Sequence, residues 1–357
     1  MKISNIPGLG SFGHYVDNVD FDHITDEEWI EIGKLHLQGL VTILRNVNIT
    51  KDQFYDRIKQ FGPFKGTRNS RAYFQARYGK EFDALIPGHF EKFNVSEEDR
   101  RYMERRKYLI EETDQGRHLT RVSGMQDTNG NDLGVFSSGE LLWHSNESSE
   151  LTFAPGVALL GSSNMIGSTT GFVQTVDYYE SLSESFRSEL DEMILVHKYK
   201  PGGINEKEVQ DPEFGMNIKM EFCYNDGAEV PLVLTSPGGH RGLHYTVNTA
   251  DSIKGMTKEE SDKIFAEIDK GLFTKKYIYD HKYETDNVLS LFDNSITLHR
   301  RKDPGHPDRL AYRIQYDPSN LLEAPWYPYH QQEFAEQYKK QTHELINILG
   351  IKNFKLP

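Results

Sequence analysis

The sequence predicts a β-rich α+β chain with a double-stranded β-helix (jelly roll) core, N-terminal helices and helical insertions. Two patterns predict it. Short, branched apolar runs bounded by turn residues recur from Leu40 to His299, and helix-start signals gather ahead of Gly62 before becoming sparse. No repeat, low-complexity tract or linker interrupts the 357 residues, so one domain spanning 1–357 is expected.

Taken in order, Thr25-Asp26-Glu27-Glu28 sets a hydroxyl three places before a carboxylate, and Trp29, Ile32 and Leu35 then recur at helical spacing. This starts a helix. Leu40 to Leu44 reads as a buried strand, and Thr50-Lys51-Asp52-Gln53 opens a second helix through Phe54, Ile58 and Phe61, stopped by Gly62-Pro63. Residues 65–124 form a polar, aromatic-rich insertion holding a charged helix from Ser96 to Glu112, and either a lid or a solvated excursion fits that composition. Asp127 to Asn131 is a turn leading into a strand at Leu141-Leu142-Trp143-His144.

Val157 to Leu160 and Gly171 to Val176 read as strands, and Leu182 to Val196 as an amphipathic helix with Phe186, Leu190 and Met193 on its apolar face. Strands at Leu232 to Thr235 and Gly242 to Tyr245 flank the turn Pro237-Gly238-Gly239. Thr257-Lys258-Glu259-Glu260 is a third capping box, and Val288 to Phe292 and Ile296 to His299 form two strands around a hairpin-like turn at Asp293-Asn294.

Composition narrows the function. A net charge of −13 argues against nucleic acid as a partner, because phosphate contacts need clustered Lys and Arg. No apolar run approaches the roughly 20 residues that cross a bilayer. Cys223 is the single cysteine, which excludes an internal disulfide and a cysteine-built zinc site. Met1 to Gly13 lacks a basic segment followed by an apolar one, so no secretory leader is expected and a reducing cytoplasm fits best.

Two of the fourteen histidines, His144 and His299, lie in apolar strand contexts where each is a candidate metal ligand. A mononuclear Fe(II) oxygenase site needs two imidazoles and one carboxylate on one face of the metal. Side chains at i and i+2 of a strand share a face, so the carboxylate is expected two residues after His144. That position holds Asn146.

The ordered set Trp143-His144-Ser145-Asn146, Gly167-Ser168-Thr169-Thr170, Asp293 to His299, Arg309 and Arg313 resembles the taurine dioxygenase and chlorophenoxyacetate dioxygenase family of Fe(II)/2-oxoglutarate oxygenases, from about Gly39 to Tyr316. The resemblance implies that His144 and His299 ligate Fe(II), with Asn146 at or beside the third position. It implies that Arg309 and Thr170 hold the distal carboxylate of 2-oxoglutarate, and that Arg313 faces cofactor or substrate. A guanidinium meets a carboxylate with two parallel hydrogen bonds. The implied reaction uses O₂, hydroxylates a C–H bond of a small, anionic molecule and releases succinate and CO₂.

Three readings of Asn146 stand side by side. Its amide oxygen or a water completes a weaker iron site; or the vacated position takes an anion, as in related halogenases; or the protein is a non-catalytic jelly-roll binder. Glu147 points away from His144 on an extended strand and needs a bulge to reach the metal. His244 and Trp143 read as structural residues, and the sequence leaves a homo-oligomer open.

Overall fold

A computed structural model of the chain describes residues 1–10, 12–64, 78–79, 81–82, 88–97, 99–100, 110–130, 132–137, 139–198 and 228–349, the side chains of 344–349 excepted. The chain opens with β1 (Lys2–Asn5), β2 (His14–Asp17), α1 (Asp26–Gly39), β3 (Val41–Leu44) and α2 (Lys51–Phe61). Both helices start as their capping boxes predict. The hydroxyls of Thr25 and Thr50 accept from the Glu28 and Gln53 amides, and those side chains accept from the threonine N–H groups in return.

There follow α3 (His89–Lys92), β4 (Ile110–Glu112), β5 (His118–Ser123), β6 (Leu141–His144), β7 (Gly156–Ser163), β8 (Thr169–Gln174), α4 (Thr175–Ser181), α5 (Glu184–Glu192) and β9 (Ile194–His197). The chain continues through β10 (Ala228–Pro231), β11 (Val233–Thr235), β12 (Arg241–Leu243), β13 (Ala250–Ile253) and α6 (Lys258–Leu272). It ends with β14 (Ile278–Lys282), β15 (Val288–Asp293), β16 (Thr297–Asp303), β17 (Leu310–Tyr316) and α7 (Gln332–Leu349).

Two sheets carry the architecture. The larger has eight strands in the order β1-β2-β3-β15-β7-β17-β5-β4, and the smaller has four, β14-β8-β16-β6. Their strands pair antiparallel except where β2 meets β3. A three-stranded sheet (β10-β9-β13) and the β11-β12 hairpin make up the rest.

The period of two along each strand sorts the side chains. In the eight-stranded sheet Leu44, Ala158, Leu160, Leu289, Leu291, Tyr312 and Ile314 join Trp29, Ile32, Phe54, Ile58 and Phe61 of α1 and α2 in one core cluster. Trp29 stacks on Phe61 at 4.9 Å, and Phe61 meets Tyr316 at 5.7 Å. Each such apolar side chain contributes about 1.5–3 kcal/mol on burial, which explains why the helices lie on this face. Residues one step along (Val41, Ile43, Val157, Val288, Phe292 and Ala311) point the other way and pack with Phe172 of the smaller sheet. The space between the two sheets is therefore the interior of the fold, and Arg313, two residues beyond Ala311, faces it.

Several expectations need correction. Asp293-Asn294 is not a hairpin turn: β15 belongs to the larger sheet and β16 to the smaller, so the chain crosses between sheets there. The buried Asp293 carboxylate accepts from the amides of Ser295 and Ile296, which drives the crossover. The amphipathic helix stops at Glu192, and Ile194 to Val196 pair with β10 instead. The strand starting near Gly171 ends at Gln174, where α4 begins.

Within the insertion, Ile110–Glu112 is a strand paired with β5, itself paired with β17, so this part of it extends the larger sheet. The proposed helix from Ser96 to Glu112 thus loses its last turn, while 101–109 and most of the insertion (65–77 among it) lie outside the described residues. No described helix is long and apolar enough to cross a membrane.

Candidate functional site

Register brings the two histidines together. His144, the last residue of β6, lies directly opposite His299 on β16, and their rings are 4.2 Å apart. On the next strand His299 pairs with Phe172 and Arg301 with Thr170. Cross-strand partners share a face, so His144, His299, Arg301 and Thr170 all face the interior. Phe292 of the opposite sheet lies 4.8 Å from the His299 ring and closes the floor.

Both imidazoles are held neutral. Burial pulls His144 down to about 4 against the pull of its bond to the Leu142 carbonyl, with the charges of Arg313 and Arg301 adding to the fall. Burial, then His144 and Arg313, push His299 well below its usual range. The Nδ1–H of His144 donates to the Leu142 carbonyl at 2.7 Å, which leaves Nε2 with its lone pair free to ligate. Nδ1 of His299 is buried with no partner among the described residues. Two neutral imidazoles with uncommitted nitrogens are the donor set of a divalent transition metal, so these residues fit two of its positions.

The third position does not follow the expected geometry. β6 ends at His144, and Asn146 to Ser149 form a turn rather than more strand. Asn146 is 7% exposed, and its backbone is pinned from both sides by Asn294: the Asn146 N–H donates to Oδ1 (2.7 Å), and Nδ2 donates to the Asn146 carbonyl (2.9 Å). Its side-chain oxygen accepts from Arg313 at 3.3 Å. Glu147 adopts φ 57° and accepts from Gln315 Nε2 at 2.9 Å. Among the described residues no group of three His, Cys, Asp or Glu side chains is placed to hold a metal.

Arg309 is 3% exposed and precedes β17 by one residue. Its guanidinium donates to the carbonyls of Phe136 (2.7 Å) and Ser137 (3.2 Å), and burial lowers its pKa. Arg301, which the sequence reading passed over, donates to the same Phe136 oxygen (2.6 Å) and to the Gly139 carbonyl. Two guanidiniums thus converge on one loop beside Thr170, whose hydroxyl lies 3.2 Å from that of Tyr283. The signal for Arg301 was available: two residues after His299 on a strand, it had to share the histidine's face. Asn294 was read only as part of a turn.

His244 and Trp143 are structural, as expected. His244 lies between the carbonyls of Ser295 (2.6 Å) and Ser148 (3.1 Å), and Trp143 stacks on Phe273 with Arg300 over its ring.

Residues 4–315 match the sequence profile of the family described as taurine catabolism dioxygenase TauD, TfdA family. The chain belongs to this family. Among solved structures it is similar to AAD-2 in complex with Mn(II) and N-oxalylglycine (18% identity, TM-score 0.61, covering 88% of this chain and 97% of that one). It is also similar to a taurine dioxygenase from Burkholderia xenovorans (18%, 0.54, 86% of each). A third similar structure, from the same organism, is assigned as an alpha-ketoglutarate-dependent 2,4-D dioxygenase (16%, 0.57, 88% and 96%). At these identities the likeness speaks for the fold. A sequence search of curated proteins finds no match. The TauD/TfdA membership makes the chain a member of a dioxygenase family and agrees with the resemblance drawn from its motifs.

Proposed function

We propose that this TauD/TfdA family member is an Fe(II)/2-oxoglutarate-dependent oxygenase that hydroxylates a small, anionic molecule. The observation that carries the reading is the buried, neutral, cross-strand pair of His144 and His299, facing the interior of two packed sheets that we read as a double-stranded β-helix within one domain. In this reading His144 and His299 hold the metal. Bound Fe(II), with 2-oxoglutarate and O₂, supplies the oxidative decarboxylation that yields succinate and CO₂ and the oxidation of a substrate C–H bond.

The chain's own residues bind and orient. Arg309 is a buried cation whose hydrogen bonds, among the described residues, go to neutral carbonyls, and burying a charge this way is costly without a counter-anion. The distal carboxylate of 2-oxoglutarate meets that need, with the Thr170 hydroxyl beside it. Arg313 adds to the positive charge of the interior, which suits an anionic substrate. Burial keeps the imidazoles unprotonated near neutral pH, so no proton competes with the metal for them. The single cysteine supports a reducing, cytoplasmic setting.

The test is Fe(II)-dependent formation of succinate from 2-oxoglutarate, with and without candidate anionic substrates. Turnover that is lost in His144→Ala and His299→Ala supports the reading. Amide in place of carboxylate favours a second reading, a pocket that binds 2-oxoglutarate-like acids without turnover, which predicts tight acid binding and no succinate.

A further inference from the structure

We propose that Glu147 and Gln315 form a subsite that binds a protonated amine of the substrate, beside the anionic group taken by Arg313. The inference deepens the oxygenase reading and rests on it. It starts from the turn after β6. On an extended strand Glu147 would face away from His144, but the chain turns there and Glu147 adopts φ 57°. That backbone conformation is uncommon outside glycine, and it brings the carboxylate onto β17, where Oε1 accepts from Gln315 Nε2 at 2.9 Å.

Gln315 lies on the interior face. Its cross-strand partner is Val157, whose own partner on β15 is Phe292, so Phe292, Val157 and Gln315 form one row across the larger sheet. Val157 and Phe292 pack toward the smaller sheet, and Phe292 lies 4.8 Å from the His299 ring. Cross-strand partners share a face, so Gln315 looks into the same space from two strands away, about 10 Å along the row. Arg313 stands two residues before it on the same face, and its charge reaches both His144 and His299.

The orientation of the Gln315 amide follows from its partner. An ionised carboxylate only accepts, so the atom facing Glu147 has to be the NH₂ nitrogen, and Oε1 is left on the other side. Gln315 is 5% exposed, and its Oε1 is buried with no hydrogen-bond partner among the described residues. Buried carbonyl oxygens of this kind normally meet a donor, so an open one marks a place for a donor from outside the chain. Glu147 and Gln315, joined by one hydrogen bond, together present two kinds of acceptor and one negative charge. An ammonium group supplies their complement, N–H donors with one positive charge. Two residues along a strand span about 7 Å, so Arg313 and this acceptor pair read the two ends of one small molecule. The pocket thus favours an amino acid over a simple acid.

The test is calorimetry on the full-length protein loaded with Co(II) and 2-oxoglutarate, titrated with two matched series. One holds β-alanine, γ-aminobutyrate and δ-aminovalerate; the other holds propionate, butyrate and valerate, which differ only by lacking the amine. At least one amino acid is expected to bind about tenfold or more tightly than its amine-free counterpart, the gain of one charge-assisted hydrogen bond. Glu147→Gln keeps an oxygen for Gln315 Nε2 and removes the charge, so in that variant the preference is expected to disappear. A residue that only anchors the turn would leave it intact. Four results overturn the proposal and leave the oxygenase reading standing: no preference in the unmodified protein, a preference for the amine-free series, no binding of either series, or a preference that survives in Glu147→Gln. The unmodified protein decides the matter alone should the variant fail to fold. If 2-oxoglutarate itself does not bind the Co(II) protein, the oxygenase reading fails and the proposal falls with it.

Discussion

Replacing Asn294 by alanine removes three buried hydrogen bonds in one step. The residue is fully buried, accepting from the Asn146 N–H at 2.7 Å and donating to the carbonyls of Asn146 at 2.9 Å and Ala154 at 2.8 Å. Alanine leaves all three backbone groups inside the protein without a partner, and each such group costs about 1–3 kcal/mol. The sum, about 3–9 kcal/mol, is a large share of the 5–15 kcal/mol that typically separates folded from unfolded protein.

Asn294→Asp makes the comparison sharper. It keeps an acceptor for the Asn146 N–H but sets a carboxylate against two carbonyl oxygens, so its loss is expected to be at least as large. Urea denaturation measures both. A change below about 1 kcal/mol in each variant would refute the argument that Asn294 anchors the turn after β6, whereas each hydrogen bond carries roughly that much on its own. In whatever folded fraction remains, Co(II) affinity is expected to fall, since the turn it anchors begins two residues beyond His144.

Three further outcomes are expected. Arg309→Lys gives up one charged hydrogen bond to a carboxylate, about 1.5–3 kcal/mol, so calorimetry is expected to show 2-oxoglutarate binding weakened about 10- to 150-fold; unchanged affinity contradicts the assignment. In metal-free protein, stability is expected to fall as pH drops below 6.5, because burial holds His36 down to about 3, and His144 and His281 each to about 4, so each takes up a proton on unfolding. Every such histidine steepens the loss by about 1.4 kcal/mol per pH unit, while Asp293, raised by burial to about 6, acts in the opposite sense between its unfolded and folded values. His36→Gln is expected to flatten the acid limb of a urea-midpoint profile, and an unaltered limb counts against the argument. Gly62→Ala would bring a methyl group to 1.9 Å from the Asp317 carbonyl oxygen, backbone against backbone, and a thermal midpoint no lower than that of the parent would contradict this packing.

What was legible in the sequence was local or periodic. Thr25, Thr50 and Thr257 announce their helices because a capping box is complete within four residues, and all three form. The meeting of His144 and His299 was legible through the ordered motifs that resemble the TauD/TfdA family, and the two histidines do lie opposite each other on β6 and β16. What failed depended on distant partners. Val288 to Phe292 and Ile296 to His299 read as a hairpin because they are adjacent in sequence, yet β15 finds β3 and β7 while β16 finds β8 and β6. Ile110-Glu111-Glu112 has a helical composition, and its pairing with β5 is decided by the edge that β17 leaves open through β5. Asn146 was placed by extending β6 two residues too far, and the turn that replaces the strand is set by Asn294, far along the chain.

The central claim, that His144 and His299 carry a metal to which 2-oxoglutarate binds, is tested most directly by anaerobic calorimetric titration of 2-oxoglutarate with and without Fe(II). The account predicts one 2-oxoglutarate per chain with Fe(II) present, weak binding without it, and loss of the Fe(II)-dependent gain in His299→Ala. Binding of equal strength with and without Fe(II), or a gain that survives in His299→Ala, would contradict it.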